Sequence, residues 1–279
     1  EHVGRGGDQA GERAGLLREN RVYREHLEQT NKRLEDSLRQ LEEDEHAARR
    51  IQFQLLPPER YAYDGFTFSR FLKTSAYLSG DFVDYFAIDH ARFGFYIADV
   101  SGHGVSSAFV TVLLKSTMNY LLEEYRKGND DAIQHPDRVL QVINQSIVNQ
   151  DFGKYLTMFY GVVDREDNVM TCANAGQFPF PILFDGKQAQ FLEQKNLPVG
   201  LFENATYATI DFALPERFVM ALFSDGVLEV LENESLSEKK AFLLNLVQDL
   251  DVCLETMAPQ LESLLADEPP PDDVTLLLV

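Results

Sequence analysis

Leucines 27, 34 and 41 recur every seven residues in an otherwise polar stretch, with Asn31 and Leu38 at the intervening seam positions. That period, on a run from Leu17 to Leu56 free of Gly and Pro, predicts one long helix with a coiled-coil stripe. Arg24 and Glu45 interrupt the seam, and Asn31 favours a parallel, in-register pair at some cost in stability. Pro57-Pro58 ends the helix, because proline lacks the N–H and clashes with the preceding turn. The period then shortens. Alternating or short apolar runs predict strands over Thr67–Leu72, Asp81–Asp89 and Arg92–Asp99. Helical spacing returns over Val105–Tyr125, through Phe109, Val112, Leu113, Met118, Leu121 and Leu122, and a second helix opens at Pro136. Strands follow near Leu156–Asp164, Asn168–Asn174, Pro181–Phe184, Gln188–Leu192, Ala205–Phe212 and Phe218–Ser224, with a hairpin turn at Asp185-Gly186. Two helices, Ser237–Leu250 and Val252–Ala266, precede a last strand, Val274–Val279. Helices segregated around mostly antiparallel strands predict an α+β sandwich.

A chain of 279 residues suits one large core with an appendage. The expected division is a flexible linker over 1–15, a coiled-coil linker helix over 16–56 and a folded domain over 57–279. The absence of an initial Met and the glycine-bearing Gly4–Gly15 stretch read as the frayed end of an upstream region. The formal charge of −20 argues against binding a phosphate backbone, which needs Lys and Arg. An acidic chain still takes a phosphate substrate where bound cations dominate the local field, which directs attention to divalent metal. Cys172 and Cys253 have no metal-ligand spacing and form no disulfide framework, in keeping with a reducing cytoplasm. No uninterrupted apolar run approaches the ~20 residues of a membrane span, and no signal-peptide pattern is present.

Asp99 and Asp225 each follow a strongly apolar run and are closely followed by glycine; Asp81 follows Gly80, and Asp272-Asp273 precedes the last strand. Four carboxylates at strand ends would make an oxygen-rich pocket suited to hard cations such as magnesium or manganese, two of which activate water and clamp a phosphoryl group. The competing reading is that Asp beside Gly serves turns alone. Asp89 reads as a turn residue and Asp84 as an outer group. His103, in Ser101-Gly102-His103-Gly104, is a candidate to contact phosphate or order water, or a loop histidine with a local role.

Five strings, LSGDFVDYF from Leu78, IADVSGHGVSSAF from Ile97, ANAGQFPF from Ala173, LFSDGVLEV from Leu222 and DDVTLLLV from Asp272, together resemble the PPM-type phosphatases, in particular the bacterial SpoIIE and RsbU-like branch, over Ala47–Val279. The resemblance implies an αββα four-layer sandwich holding two Mn2+ or Mg2+ ions between its sheets. It implies hydrolysis of phosphoserine or phosphothreonine by a metal-activated water. Asp81, Asp99, Asp225 and Asp272 match the metal-binding aspartates, and the main-chain carbonyl of Val100 falls at the backbone-ligand position. Asp273 adjoins the terminal ligand and either shares its role or is structural. Where the family commonly has asparagine-alanine-glycine-histidine, this chain has Asn174-Ala175-Gly176-Gln177, which removes any titratable role there. By analogy, an upstream receiver or sensory domain, a phosphorylated STAS-type anti-sigma-factor antagonist as substrate, and a homodimer through the leading helix are expected.

Two other readings fit parts of the same sequence. Ser79-Gly80-Asp81-Phe82 is superficially similar to a nucleotidyl-cyclase signature, although Phe82-Val83 stands where an acidic pair is needed. A dimeric scaffold would bind the same regulator without turnover.

Overall fold

Helix formation runs through the polar amino-terminal stretch and stops one residue before Pro57-Pro58, where the ring disfavours helical geometry in the residue preceding it. The structure, a computed structural model, describes residues 5–63, 65–102, 104–150, 153–231, 235–249, 252–265 and 269–279, with side chains from Gly15 on except that of Leu17. In chain order the elements are α1 (Arg5–Leu55), β1 (Arg60–Tyr63), β2 (Phe66–Lys73), β3 (Asp81–Ala87), β4 (Arg92–Val100), α2 (Val105–Arg126), α3 (Pro136–Gln150), β5 (Leu156–Asp164), β6 (Val169–Ala175), β7 (Ile182–Phe184), β8 (Ala189–Phe191), β9 (Ile210–Ala213), β10 (Val219–Phe223), α4 (Gly226–Val230), α5 (Leu236–Leu246), α6 (Leu254–Leu265) and β11 (Val274–Leu278). A 3-10 turn, Ala132–Gln134, links α2 and α3.

The stretch expected as a flexible linker is helical from Arg5. Good helix formers among residues 8–14 outweigh the glycines there, each of which costs about 1 kcal/mol. The chain divides into two compact units, 1–47 and 48–279. In the first, Leu27, Leu34, Leu38 and Leu41 are 59%, 58%, 51% and 60% exposed, so the heptad stripe is uncovered among the described residues. The last two turns of α1, Ala48–Leu55, belong to the second unit.

That second unit is built on two antiparallel sheets, a six-stranded one in the order β1-β2-β11-β10-β7-β8 and a five-stranded one in the order β3-β4-β5-β6-β9. Strand periodicity fixes which side chains meet between them. Phe66 and Phe68 of β2 pack on Phe93 of β4, and Phe68 stacks on Tyr85 of β3 at 5.1 Å. The opposite face of the five-stranded sheet is covered by α2 and α3, with Tyr160 donating to the carbonyl of Ile133 at 2.6 Å. The outer face of the six-stranded sheet buries Phe223, Val274 and Leu276 with Leu243 of α5 and Met257 and Leu261 of α6. The layers are helix, sheet, sheet, helix, as the resemblance implies. Helix α2 is long and apolar enough to cross a membrane by length and composition, which a search for uninterrupted runs overlooks. Its Val110, Leu114 and Met118 are buried in the core beneath it.

Candidate metal centre

Period two along β3 and β4 decides where their acids point. Asp81 shares a face with Val83 and Tyr85, and Asp99 with Phe95 and Ile97, the face turned toward the other sheet. Asp81 and Asp99 are direct partners across the β3–β4 ladder. The six-stranded sheet delivers Asp225 just past β10 and Asp272 just before β11, two neighbouring antiparallel strands. Gly226 lets those two segments meet, since a Cβ there would lie 2.1 Å from the carbonyl oxygen of Asp273. All four aspartates therefore stand at one end of the sandwich.

Their charges act on one another. Burial, then the charges of Asp225, Asp272 and Asp273, push Asp99 up to about 7. Burial, then Asp99 and Asp273, raise Asp81 well above the usual carboxylate range. Asp225 is raised by burial and by Asp272 and Glu229. Every charge that shifts Asp99 is another carboxylate, so this end of the fold concentrates negative charge that a cation would neutralise. Among the described residues no three His, Cys, Asp or Glu side chains close into a ready-made cage. Main-chain oxygens lie beside Asp99 as well: a Cβ on Gly80 would sit 2.9 Å from the Val100 carbonyl oxygen, 3.2 Å from that of Gly102 and 3.8 Å from Asp99 Oδ1. Carboxylate and carbonyl oxygens without sulfur or imidazole fit magnesium or manganese.

Around these groups lies a lattice of neutral donors. Thr275 Oγ1 donates to Asp81 Oδ2 at 2.5 Å from the opposite sheet. Asp273 accepts from Ser75 N and Oγ, Ser79 Oγ and Gly80 N, at 2.7, 2.9, 2.8 and 2.8 Å. With four donors, its carboxylate ties the β2–β3 loop to the start of β11. Ser224 Oγ donates to the Asp273 carbonyl at 3.1 Å and accepts from Thr275 N at 2.9 Å. Asp84 stands on the other face of β3, where Lys115 of α2 bonds it at 2.6 Å. Burial raises it and Lys115 opposes the rise; the pleat of β3 places it across the sheet from Asp81. His103 lies outside the described residues. Gln177 is buried and bridges the sheets: its Nε2 donates to the Phe223 carbonyl at 2.7 Å, while Oε1 accepts from Thr157, the ladder partner of Asp99, at 3.4 Å.

One residue that sequence reasoning passed over is Gln52. Buried at the end of α1, it donates to the Ser79 carbonyl at 2.7 Å and to Thr111 at 3.0 Å, and accepts from Ser79 N at 3.1 Å. The stretch Ile51–Leu56 carries two polar residues, Gln52 and Gln54, of which only Gln52 is buried.

Residues 89–279 match the family described as Stage II sporulation protein E (SpoIIE). The chain belongs to the SpoIIE family. Its relatives include the phosphoserine phosphatase RsbU of Bacillus subtilis (strain 168), 30% identical over 165 residues, covering 58% of this chain and 46% of that protein. The phosphoserine phosphatase RsbP of the same organism is 28% identical over 182 residues, covering 65% and 44%. This SpoIIE-family chain thus spans a little under half the length of each. Among solved structures, the SiaA-PP2C domain of Pseudomonas aeruginosa superposes with a TM-score of 0.70 at 19% identity, over 87% of this chain and 97% of that one. The PP2C phosphatase domain of SpoIIE from Bacillus subtilis gives 0.63 at 16% identity, over 76% and 59%. At these identities the likeness establishes a shared PP2C fold.

Proposed function

We propose that this SpoIIE-family domain is a metal-dependent protein phosphatase that hydrolyses phosphoserine or phosphothreonine. Asp81, Asp99, Asp225, Asp272 and the Val100 carbonyl would hold two Mn2+ or Mg2+ ions. The observation that carries the reading is the convergence of four aspartates from two sheets, with only carboxylate charges acting on Asp99. Two bound divalent ions would supply a nucleophilic water at neutral pH and a clamp for phosphoryl oxygens. The chain's own part is to aim the oxygens: Thr275 orients Asp81, Asp273 and Gln52 fix the Ser79-Gly80 approach, and Gln177 holds the sheets in register.

The substrate we infer is a phosphorylated STAS-type anti-sigma-factor antagonist, a reading supported by relatives that are phosphoserine phosphatases. The uncovered leucine stripe supports a homodimer through α1, whose pairing would transmit an upstream signal to the Ala48–Leu55 turns. Equal rates and equal oligomeric states for the full chain and a chain starting at Ala47 would remove that switch. The chemistry is tested by manganese-dependent phosphate release from phosphoserine STAS proteins, comparing the intact chain with Asp99→Asn. Undiminished release by the variant would refute the assigned centre.

A further inference from the structure

We propose that a cleft beside the metal centre receives an acidic segment of the protein substrate, adjacent to the residue being dephosphorylated; this rests on the phosphatase reading above. The cleft, of about 480 Å³, lies where Arg49 of α1 faces the end of β2 and the loop that follows, with Lys73, Thr74, Ser75 and Tyr77 along it and Pro269 opposite. On a chain of net charge −20, its lining carries two cations and, among the described residues, no carboxylate. Neither cation is neutralised by an ion pair within the described residues: Arg49 lies over the Phe53 ring at 4.9 Å, and Lys73 is exposed. A cationic patch on a strongly acidic surface selects for acidic partners, because a basic segment gains more elsewhere on the molecule and a neutral one gains nothing from the charge.

The position of the cleft ties it to the chemistry. Lys73 is the ladder partner of Val274, the residue after Asp272-Asp273. Ser75, in the cleft wall, binds Asp273 through both its N–H and its hydroxyl. The same loop then continues to Gly80 and Asp81. Two further clefts, lined by Gly65 and Thr67, lie at the opposite end of β2. A fourth is lined by Asp130, Asp131 and Arg138, whose charges already pair with one another. An extended peptide advances ~3.3 Å per residue, so side chains a few positions from a phosphoserine at the carboxylate end fall within reach of Arg49 and Lys73. Specificity for the phosphoprotein would then be set partly by charge on the residues flanking its phosphoserine.

The test uses two labelled peptides of equal length, one with glutamates and one with lysines around a central serine. Binding is read by fluorescence anisotropy on the unphosphorylated forms in manganese, and phosphate release on the phosphoserine forms. The full chain is expected to bind the glutamate peptide about tenfold more tightly at low salt, with the preference fading as salt screens it. Lys73→Glu and Arg49→Gln each reduce that preference, and together they abolish it. Equal affinities for the two peptides, or a preference that survives both substitutions, overturn the proposal. So does cation-dependent retention on phosphatidylserine vesicles without any peptide preference. A preserved preference with no phosphate release from either peptide would support the cleft and count against the phosphatase reading alone.

Discussion

The hairpin of β3 and β4 carries aspartates at both its ends, and the two ends treat the same side chain in opposite ways. At the turn, burial alone would raise Asp89, but hydrogen bonds from Tyr125, the Ala91 and Arg92 N–H groups and the Arg92 guanidinium hold it at about 2. Its Arg92 contact is 2.7 Å. At the open end, Asp99 meets burial and three further carboxylates and is pushed up to about 7. The turn acid is satisfied by the protein, whereas among the described residues only further carboxylate charges shift Asp99. Burial of an ionised group without a cation is costly, and here that cost falls on buried Asp81 and half-buried Asp99, whereas Asp225 and Asp272 are exposed at the same end.

That contrast can be broken by substitution at either end. Asp99→Asn should lower manganese-dependent phosphate release by at least about 100-fold, since even groups surrounding metal ligands are worth 10–100-fold. The same variant should raise the melting temperature of the metal-free protein by removing repulsion; a fall would contradict the electrostatic account. Next, Gly80→Ala introduces a Cβ 2.9 Å from the Val100 oxygen, and displacement of the site by a fraction of an ångström should cost about 10- to 100-fold in rate. Gln52→Ala should cost roughly tenfold and leave substrate KM little changed, because it removes the anchor of the Ser79-Gly80 backbone and no group that touches substrate.

The pH dependence sharpens the comparison further. With EDTA, Asp99 binds its proton more tightly folded than unfolded. Its stabilising contribution is therefore complete below the ordinary value of 3.8 and is lost as pH rises through about 7. The melting temperature should fall by roughly 5 °C between about pH 5 and pH 8, and manganese should reverse the slope by favouring the ionised form. Asp89 has the opposite sign, its contribution being lost only as pH falls from 3.8 toward about 2, outside that window. Asp89→Asn should accordingly produce the smallest effect on turnover while costing about 1–2 kcal/mol in urea denaturation.

Where side-chain period alone determined an element, the sequence was readable to within a residue or two: Leu156–Asp164 is β5 as expected, and Arg92–Asp99 gains only Val100. The expected strand Ala205–Phe212 shrinks to Ile210–Ala213, because the side chains of Gln194 and Asn196 take both polar groups of the Ala208 backbone. The four-residue β1 and five-residue α4 are too short to show a period. Composition and strand-end position made the four aspartates visible, and the five strings of residues ordered them into one proposed site. Invisible were the partners supplied from far along the chain. Thr275 reads as one more residue of an apolar strand until the sheets are stacked, and Asp84 and Asp81, three residues apart, look equivalent until the pleat sends them to opposite faces.

Strand β11 pairs with β2 on one side and β10 on the other, so the last of the described strands is an interior strand of its sheet. A ribosome making this protein would have laid down nearly the whole domain before that slot could be filled. Until then β2 and β10 lack their shared neighbour, and Asp272 and the Thr275 hydroxyl that orients Asp81 are still missing. The order of strands thus ties the acidic centre to β11, whose docking closes the six-stranded sheet and brings Asp272 and Thr275 to the other aspartates.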